Sequence, residues 1–243
     1  MKDRPTLRVC LTTALIPTFE IADSIAVVID VLRATTSFCA ALDRGATEIV
    51  PVRSLKECRQ YGRQGYLTAA ERGAQKVPGF HFGNSPSEFL QADLRGKKIA
   101  FTTTNGTRAL HAVRQAKEVV AGAFVNMSVL LDFLRQRAQP TLLVCAGWKD
   151  HVNLEDTLFA GAVATYLEND FRIADDATLI AMSLYQQAER RKKYYIQHAA
   201  HYERLVELGM QEDVKYALRR DLHPVLPYYR DGALINALQE THV

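Results

Sequence analysis

Asp30 is the first residue whose position invites a chemical reading. It closes the apolar run Ala26-Val27-Val28-Ile29 and precedes Val31-Leu32-Arg33-Ala34-Thr35-Thr36. Ligands of open α/β sheets bind outside the carboxyl ends of the strands, so an acid there can hold a metal ion or act as a nucleophile. Arg33, Thr35 and Thr36 fall where a helix would begin, and the free N–H groups and dipole of a helix start favour an anion. Asp30 also reads as a plain helix cap. Its local sequence does not separate these readings.

Three further segments carry groups of the same kind. Thr102-Thr103-Thr104-Asn105-Gly106-Thr107-Arg108 follows another apolar run. Its hydroxyls, amide, glycine and guanidinium suit a phosphate cradle, with Arg108 able to grip two oxygens. It also reads as a capped turn between strand and helix. Gly147 to Asp156 ends in Glu155-Asp156, adjacent acids that suit magnesium as oxygen ligands; acids in a first helical turn are common for dipole reasons as well. Glu71-Arg72 with Gly83-Asn84-Ser85-Pro86 can close over an anion, though GNSP is also ordinary turn chemistry. Delivered to one sheet edge, these groups make the anatomy of a phosphoryl-transfer site.

Several mechanisms are excluded. No cysteine is followed by five residues and an arginine. The residues after Asp30 do not form DxDxT, and there is no Walker A loop, GxSxG elbow or HExxH pair.

The elements that must position these residues are short. Runs at 24–30, 47–52, 98–104, 118–124 and 141–147 have strand length and composition. Segments at 35–43, 54–63, 106–115, 126–137 and 153–168 have helical spacing. Strand followed by helix, repeated, predicts an α/β fold with a mostly parallel or mixed sheet covered on both faces. Residues 65–97 are expected to form an irregular binding loop or flap. Residues 186–221 read as continuous charged helix with a solvated face.

The 243 residues, 48% hydrophobic and 23% charged, suit one domain over 1–243 or two closely packed subdomains. A net charge of +3 suits a small anionic substrate and is too weak to argue for nucleic acid. Cys10, Cys39, Cys58 and Cys145 form no metal-like pairing, which fits a reducing cytoplasm. No run approaches the roughly 20 apolar residues of a membrane helix, and the N-terminal stretch lacks a signal-peptide core.

The segments VVIDVLRATTSFCAAL, AAERGAQKVPGFHFGNSPSEF, FTTTNGTRAL, LVCAGWKDHVNLEDTLFAG and VLPYYRDGAL together resemble the 2-phosphosulfolactate phosphatase family, over residues 20 to 235. The resemblance implies a layered α/β/α fold and a magnesium-dependent phosphomonoesterase. Its reaction would release 3-sulfolactate from 2-phospho-3-sulfolactate, on a route to coenzyme M. It carries over Asp30, Arg33, Glu71, Arg72, Asn84, Ser85, Thr103 to Arg108, Glu155 and Asp156. The expected roles are catalysis by Asp30, Arg33 and Arg108, and substrate binding by Arg72, Asn84, Ser85, Thr103, Thr104, Asn105 and Gly106. Metal would be held by Asp30 with Glu155 or Asp156. The expected partner is a small anionic phosphomonoester rather than nucleic acid or membrane, and the expected assembly a homodimer. His81 and Trp148 depart from the family pattern and bear on which substrate is taken. The alternatives are a related phosphatase of another small phosphorylated hydroxy acid, a non-catalytic phosphate-ester binder, and an RNA-associated protein using Arg190 to Lys193.

Overall fold

The computed structural model describes residues 4–242, apart from the side chains of Lys192, Lys193 and residues 240–242. The chain runs β1 (Thr6–Cys10), β2 (Ile25–Ile29), α1 (Ala34–Asp43), β3 (Glu48–Pro51), α2 (Leu55–Arg63), β4 (Leu67–Arg72), β5 (Gln75–Lys76) and α3 (Pro86–Leu90). It continues through β6 (Lys98–Thr102), α4 (Gly106–Ala112), β7 (Glu118–Gly122), α5 (Met127–Arg137), β8 (Thr141–Cys145) and α6 (Leu154–Leu167). It ends with β9 (Arg172–Ile173), α7 (Asp176–Ala188), α8 (Lys192–Gln197), α9 (Ala200–Glu207), α10 (Gln211–Ala217), β10 (Pro227–Arg230) and β11 (Ala233–Asn236). The five expected strands and five expected helices all form, with ends trimmed by a few residues.

One sheet of 11 strands runs in the order β5-β4-β6-β3-β11-β10-β7-β2-β8-β1-β9. Two parallel groups, β4-β6-β3 and β7-β2-β8-β1-β9, are joined by the antiparallel hairpin β10-β11. Asp231 and Gly232 turn this hairpin with positive φ at both positions (51° and 90°), the geometry of a two-residue loop.

Strand alternation separates two cores. Ile25, Val27 and Ile29 of β2 face a layer containing residues of α5, α6 and α7. Ala26 and Val28 face the opposite layer, which holds α1, α3 and α4. The fold is therefore layered α/β/α. In α1 every residue from Ala34 to Leu42 is buried. Its small residues let neighbours approach all round, and the loop after β6 meets the loop after β2 over its N-terminus, although β3, β11, β10 and β7 lie between those strands.

Two expectations are corrected. Residues 65–97 are not an irregular flap, because they supply the sheet strand β4, the short β5 and α3. Residues 186–221 are not one helix. The chain breaks between α8 and α9, and again after α9, where Gly209 N–H bonds Val206 O and Met210 N–H bonds Leu205 O. That pair of bonds closes a helix end and turns the chain away.

Candidate active site

The strand ends converge on a cavity of about 130 Å³ whose wall includes Asp30, Arg33, Glu71, Asn84, Thr103, Thr104 and Asn105. Trp148, Lys149, His201 and Arg204 also line it, the last two from α9. Asp30 stands at the end of β2 with 6% exposure. Its backbone N–H donates to Thr35 Oγ1 at 3.2 Å, and Ala34 N–H reaches its Oδ1 only at 3.4 Å. The capping bond is therefore weak, and no described side chain neutralises the carboxylate. Burial pushes its pKa up to about 6, helped by the charges of Glu71 and Glu155, while the His201 charge and the Ala34 N–H pull it back.

Gly106 belongs to this site through its bareness. A Cβ there would lie 2.4 Å from Ala34 Cβ and 2.8 Å from Asp30 Oδ2. Sequence reasoning expected it to admit the ligand; the structure shows it admitting α4 against Asp30. Thr103 and Thr107 cap that helix reciprocally, each backbone N–H donating to the other's hydroxyl at 3.2 Å. Glu71 accepts Ala74 N–H on one oxygen and Thr104 N–H, at 3.2 Å, on the other. It thereby ties the loop after β4 to the loop after β6.

The two adjacent acids separate. Asp156 is fully buried and accepts from Val31 N–H at 2.9 Å, Gly147 N–H at 3.2 Å and Asn153 Nδ2 at 2.9 Å. It clamps the ends of β2 and β8 together and is not on the cavity wall. Glu155 is fully buried, and His201 Nδ1 lies 2.6 Å from its Oε1. Neither acid faces the cavity, so the expected metal set of Asp30 with Glu155 or Asp156 is not assembled.

Other expected residues are also redirected. Arg33 lines the cavity at 3% exposure, but its guanidinium is taken by Asp213 Oδ2 at 2.7 Å, by Met210 Sδ and by Ala74 O. Ser85 donates to Asp213 Oδ1 at 2.6 Å and lines a neighbouring cleft beyond Arg33. Arg72 bonds Glu71 O and Thr102 Oγ1, and Arg108 pairs with Asp150. Both arginines face a separate cleft, which shares only Thr103 and Thr104 with the cavity. His81 bonds Thr68 and lies off the cavity wall.

The cations left at the cavity are Lys149 and Arg204. Lys149 Nζ stands 4.6 Å above the Trp148 ring, and Arg204 donates to Gly73 O at 3.2 Å. Sequence reasoning missed Arg204 and His201, because both lie in a charged stretch read as a solvated face. Their three-residue spacing put them on one helical face, which was the available signal. The Trp148 ring lies parallel to His201, with centroids 5.5 Å apart and planes at 12°. Burial works against the charged imidazole, but the hydrogen bond and charge of Glu155 outweigh it and hold its pKa above the ordinary value.

No group of three or more His, Cys, Asp or Glu side chains among the described residues is arranged to hold a metal ion. The carboxylate side chains on the cavity wall are those of Asp30 and Glu71, and beside them Asn84 has its Oδ1 buried without a partner among the described residues. Magnesium is commonly held by one or two carboxylates with substrate phosphate oxygens and water, so this donor set fits it.

The family model described as 2-phosphosulpholactate phosphatase matches residues 10–232. The chain belongs to that family. It is similar to a protein of Thermotoga petrophila, 38% identical over 211 residues that cover 86% of this chain and 91% of the relative. Relatives in Symbiobacterium thermophilum (36% over 225 residues, 90% and 97% covered) and Picosynechococcus (38% over 228 residues, 91% and 94%) extend the match. Each carries the name "Probable 2-phosphosulfolactate phosphatase". Among the described residues no helix is long and apolar enough to cross a membrane.

Proposed function

We propose that the protein is a magnesium-dependent phosphomonoester hydrolase that converts 2-phospho-3-sulfolactate to 3-sulfolactate and phosphate. The observation that carries the reading is a buried carboxylate, Asp30, on a polar cavity with lysine and arginine at its wall, in a chain of this family. Asp30, with Glu71 and the Asn84 carbonyl, would hold the ion. Bound there, magnesium would polarise the phosphoryl oxygens and acidify a bound water.

The chain's own residues do the rest. Arg204 and Lys149 attract the anionic ester and its carboxylate and sulfonate groups. Thr103, Thr104 and Asn105 line the phosphoryl end, where hydroxyl and amide donors suit equatorial oxygens. Trp148, Leu32 and Leu205 supply the apolar part of the wall and limit water. Arg33, whose guanidinium is satisfied by α10 and the Gly73–Ala74 turn, fixes the wall and lends its charge at short range.

A cytoplasmic homodimer belongs to the same reading, and the four cysteines are free and buried, as a reducing compartment allows. The test is phosphate release from 2-phospho-3-sulfolactate and a panel of small phosphomonoesters, with and without magnesium. Release must require the ion, and Asp30→Asn must abolish it. Full activity in that variant would overturn the assignment.

A further inference from the structure

We infer that His201 is the general acid of this site, delivering a proton from Nε2 to the ester oxygen that leaves phosphorus. The inference rests on the phosphomonoesterase reading and adds a catalytic group from α9, outside the motifs that carry the family resemblance.

The geometry is that of an oriented carboxylate–imidazole pair. Glu155 is 0% exposed, its Oε1 lies 2.6 Å from His201 Nδ1, and its Oε2 has no partner among the described residues. The imidazole is therefore the one described group engaging this buried carboxylate. An ionised carboxylate only accepts, so against Glu155 the proton sits on Nδ1, which leaves Nε2 as the other polar atom of a ring that lines the cavity. No described protein group bonds Nε2. The parallel Trp148 ring fixes the plane of the imidazole, so Nε2 is held in direction as well as in place.

The surrounding charges favour this role. Glu155, in direct contact, supports the protonated imidazole and Arg33 opposes it. Lys149, over Trp148, and Arg204, one turn along α9, add positive charge at the same cavity. The hydrogen bond and charge of Glu155 work against the burial that disfavours the cation. His201 makes no described hydrogen bond or ion pair with Asp30, Glu71 or Asn84, so its proton does not compete with the oxygens that would hold magnesium. Arginine does not give up a proton in proteins, which removes Arg33 and Arg204 from this role.

The chemistry needs such a group. The leaving oxygen of 2-phospho-3-sulfolactate would depart as a secondary alkoxide, a poor leaving group unless protonated. As the ester P–O bond breaks, its electron pair passes to that oxygen and the Nε2 proton joins it to give the alcohol. The attacking water forms the new P–O bond and leaves with its protons as dihydrogen phosphate. Solvent then returns a proton to the neutral imidazole.

The test is a leaving-group series assayed with magnesium on wild type, His201→Asn and His201→Gln: 2-phospho-3-sulfolactate, other small alkyl phosphates, 4-nitrophenyl phosphate and acetyl phosphate. General acid catalysis contributes about 10²–10⁴-fold, so the variants should lose at least about 100-fold on alkyl esters. They should lose little on the aryl and acyl substrates, whose leaving groups depart unprotonated. A folding defect scales every substrate alike, so the ratio within one variant is its own control. Equal losses across the series would overturn the inference. A wild type inactive on the whole series would instead refute the phosphatase reading. If the wild type turns over alkyl esters alone, the bridging-oxygen ¹⁸O isotope effect decides. It rises in His201→Asn under the inference, and an unchanged value sinks it.

Discussion

Asp30→Asn should abolish hydrolysis and, in the absence of divalent metal, make the protein more stable. The carboxyl is moved from 3.8 to about 6, chiefly by burial. A shift of roughly two units is worth about 3 kcal/mol between the protonation states. The sign follows from linkage. The folded state holds this proton more tightly than the unfolded chain, so wild-type stability falls as pH rises between about 4 and about 6. Above that window the full penalty of a buried, unpaired carboxylate is present. Below it the penalty vanishes. Asn carries no charge and escapes it, although His201 loses the support of the Asp30 charge and returns part of the gain. For a chain of this size the remainder corresponds to a rise of roughly 6–12 °C in Tm near pH 7.5 as an upper bound. Thermal unfolding of both proteins in chelator, from pH 4 to pH 7.5, reads this directly. The difference should open through the window and close toward pH 4. A variant less stable at pH 7.5, or a difference that ignores pH, would refute the claim that Asp30 is an uncompensated buried charge.

Three other perturbations separate the roles assigned above. Gly106→Ala forces a Cβ to within 2.4 Å of Ala34 Cβ, so it should cost about 1–3 kcal/mol in urea unfolding and lower kcat by displacing Asp30. Asp156→Asn turns a donor either toward Val31 N–H or toward both Gly147 N–H and Asn153 Nδ2. It should cost about 1–3 kcal/mol of stability while leaving magnesium affinity, read by calorimetry, unchanged; a large loss of affinity would restore Asp156 as a ligand. Arg108→Ala removes an exposed pair with Asp150, so stability should change by less than about 1 kcal/mol. Its KM for the phosphomonoester should stay within a few-fold of wild type, because Arg108 is not on the cavity wall.

Much of this molecule is legible in local sequence. The apolar runs ending at Ile29, Thr102, Gly122 and Cys145 read as buried strands because both faces of a central parallel strand are covered. That alone placed Asp30, Thr103 and Gly147 at strand ends, where a ligand is met. Other features depend on contacts between distant residues. The hairpin β10-β11 lies between two parallel groups, although the strands it joins, β7 and β3, are far from it in sequence. Glu155 and Asp156 are neighbours of the same residue class, yet successive helical residues point in different directions. One meets His201 and the other clamps Val31 and Gly147, and nothing local says which. His201 and Arg204 read as part of a solvated face, and only the packing of α9 brings them to the cavity wall. Spacing decides what an element is and which residues stand at its end; only packing decides which of those ends meet, and therefore which charges are left without a partner.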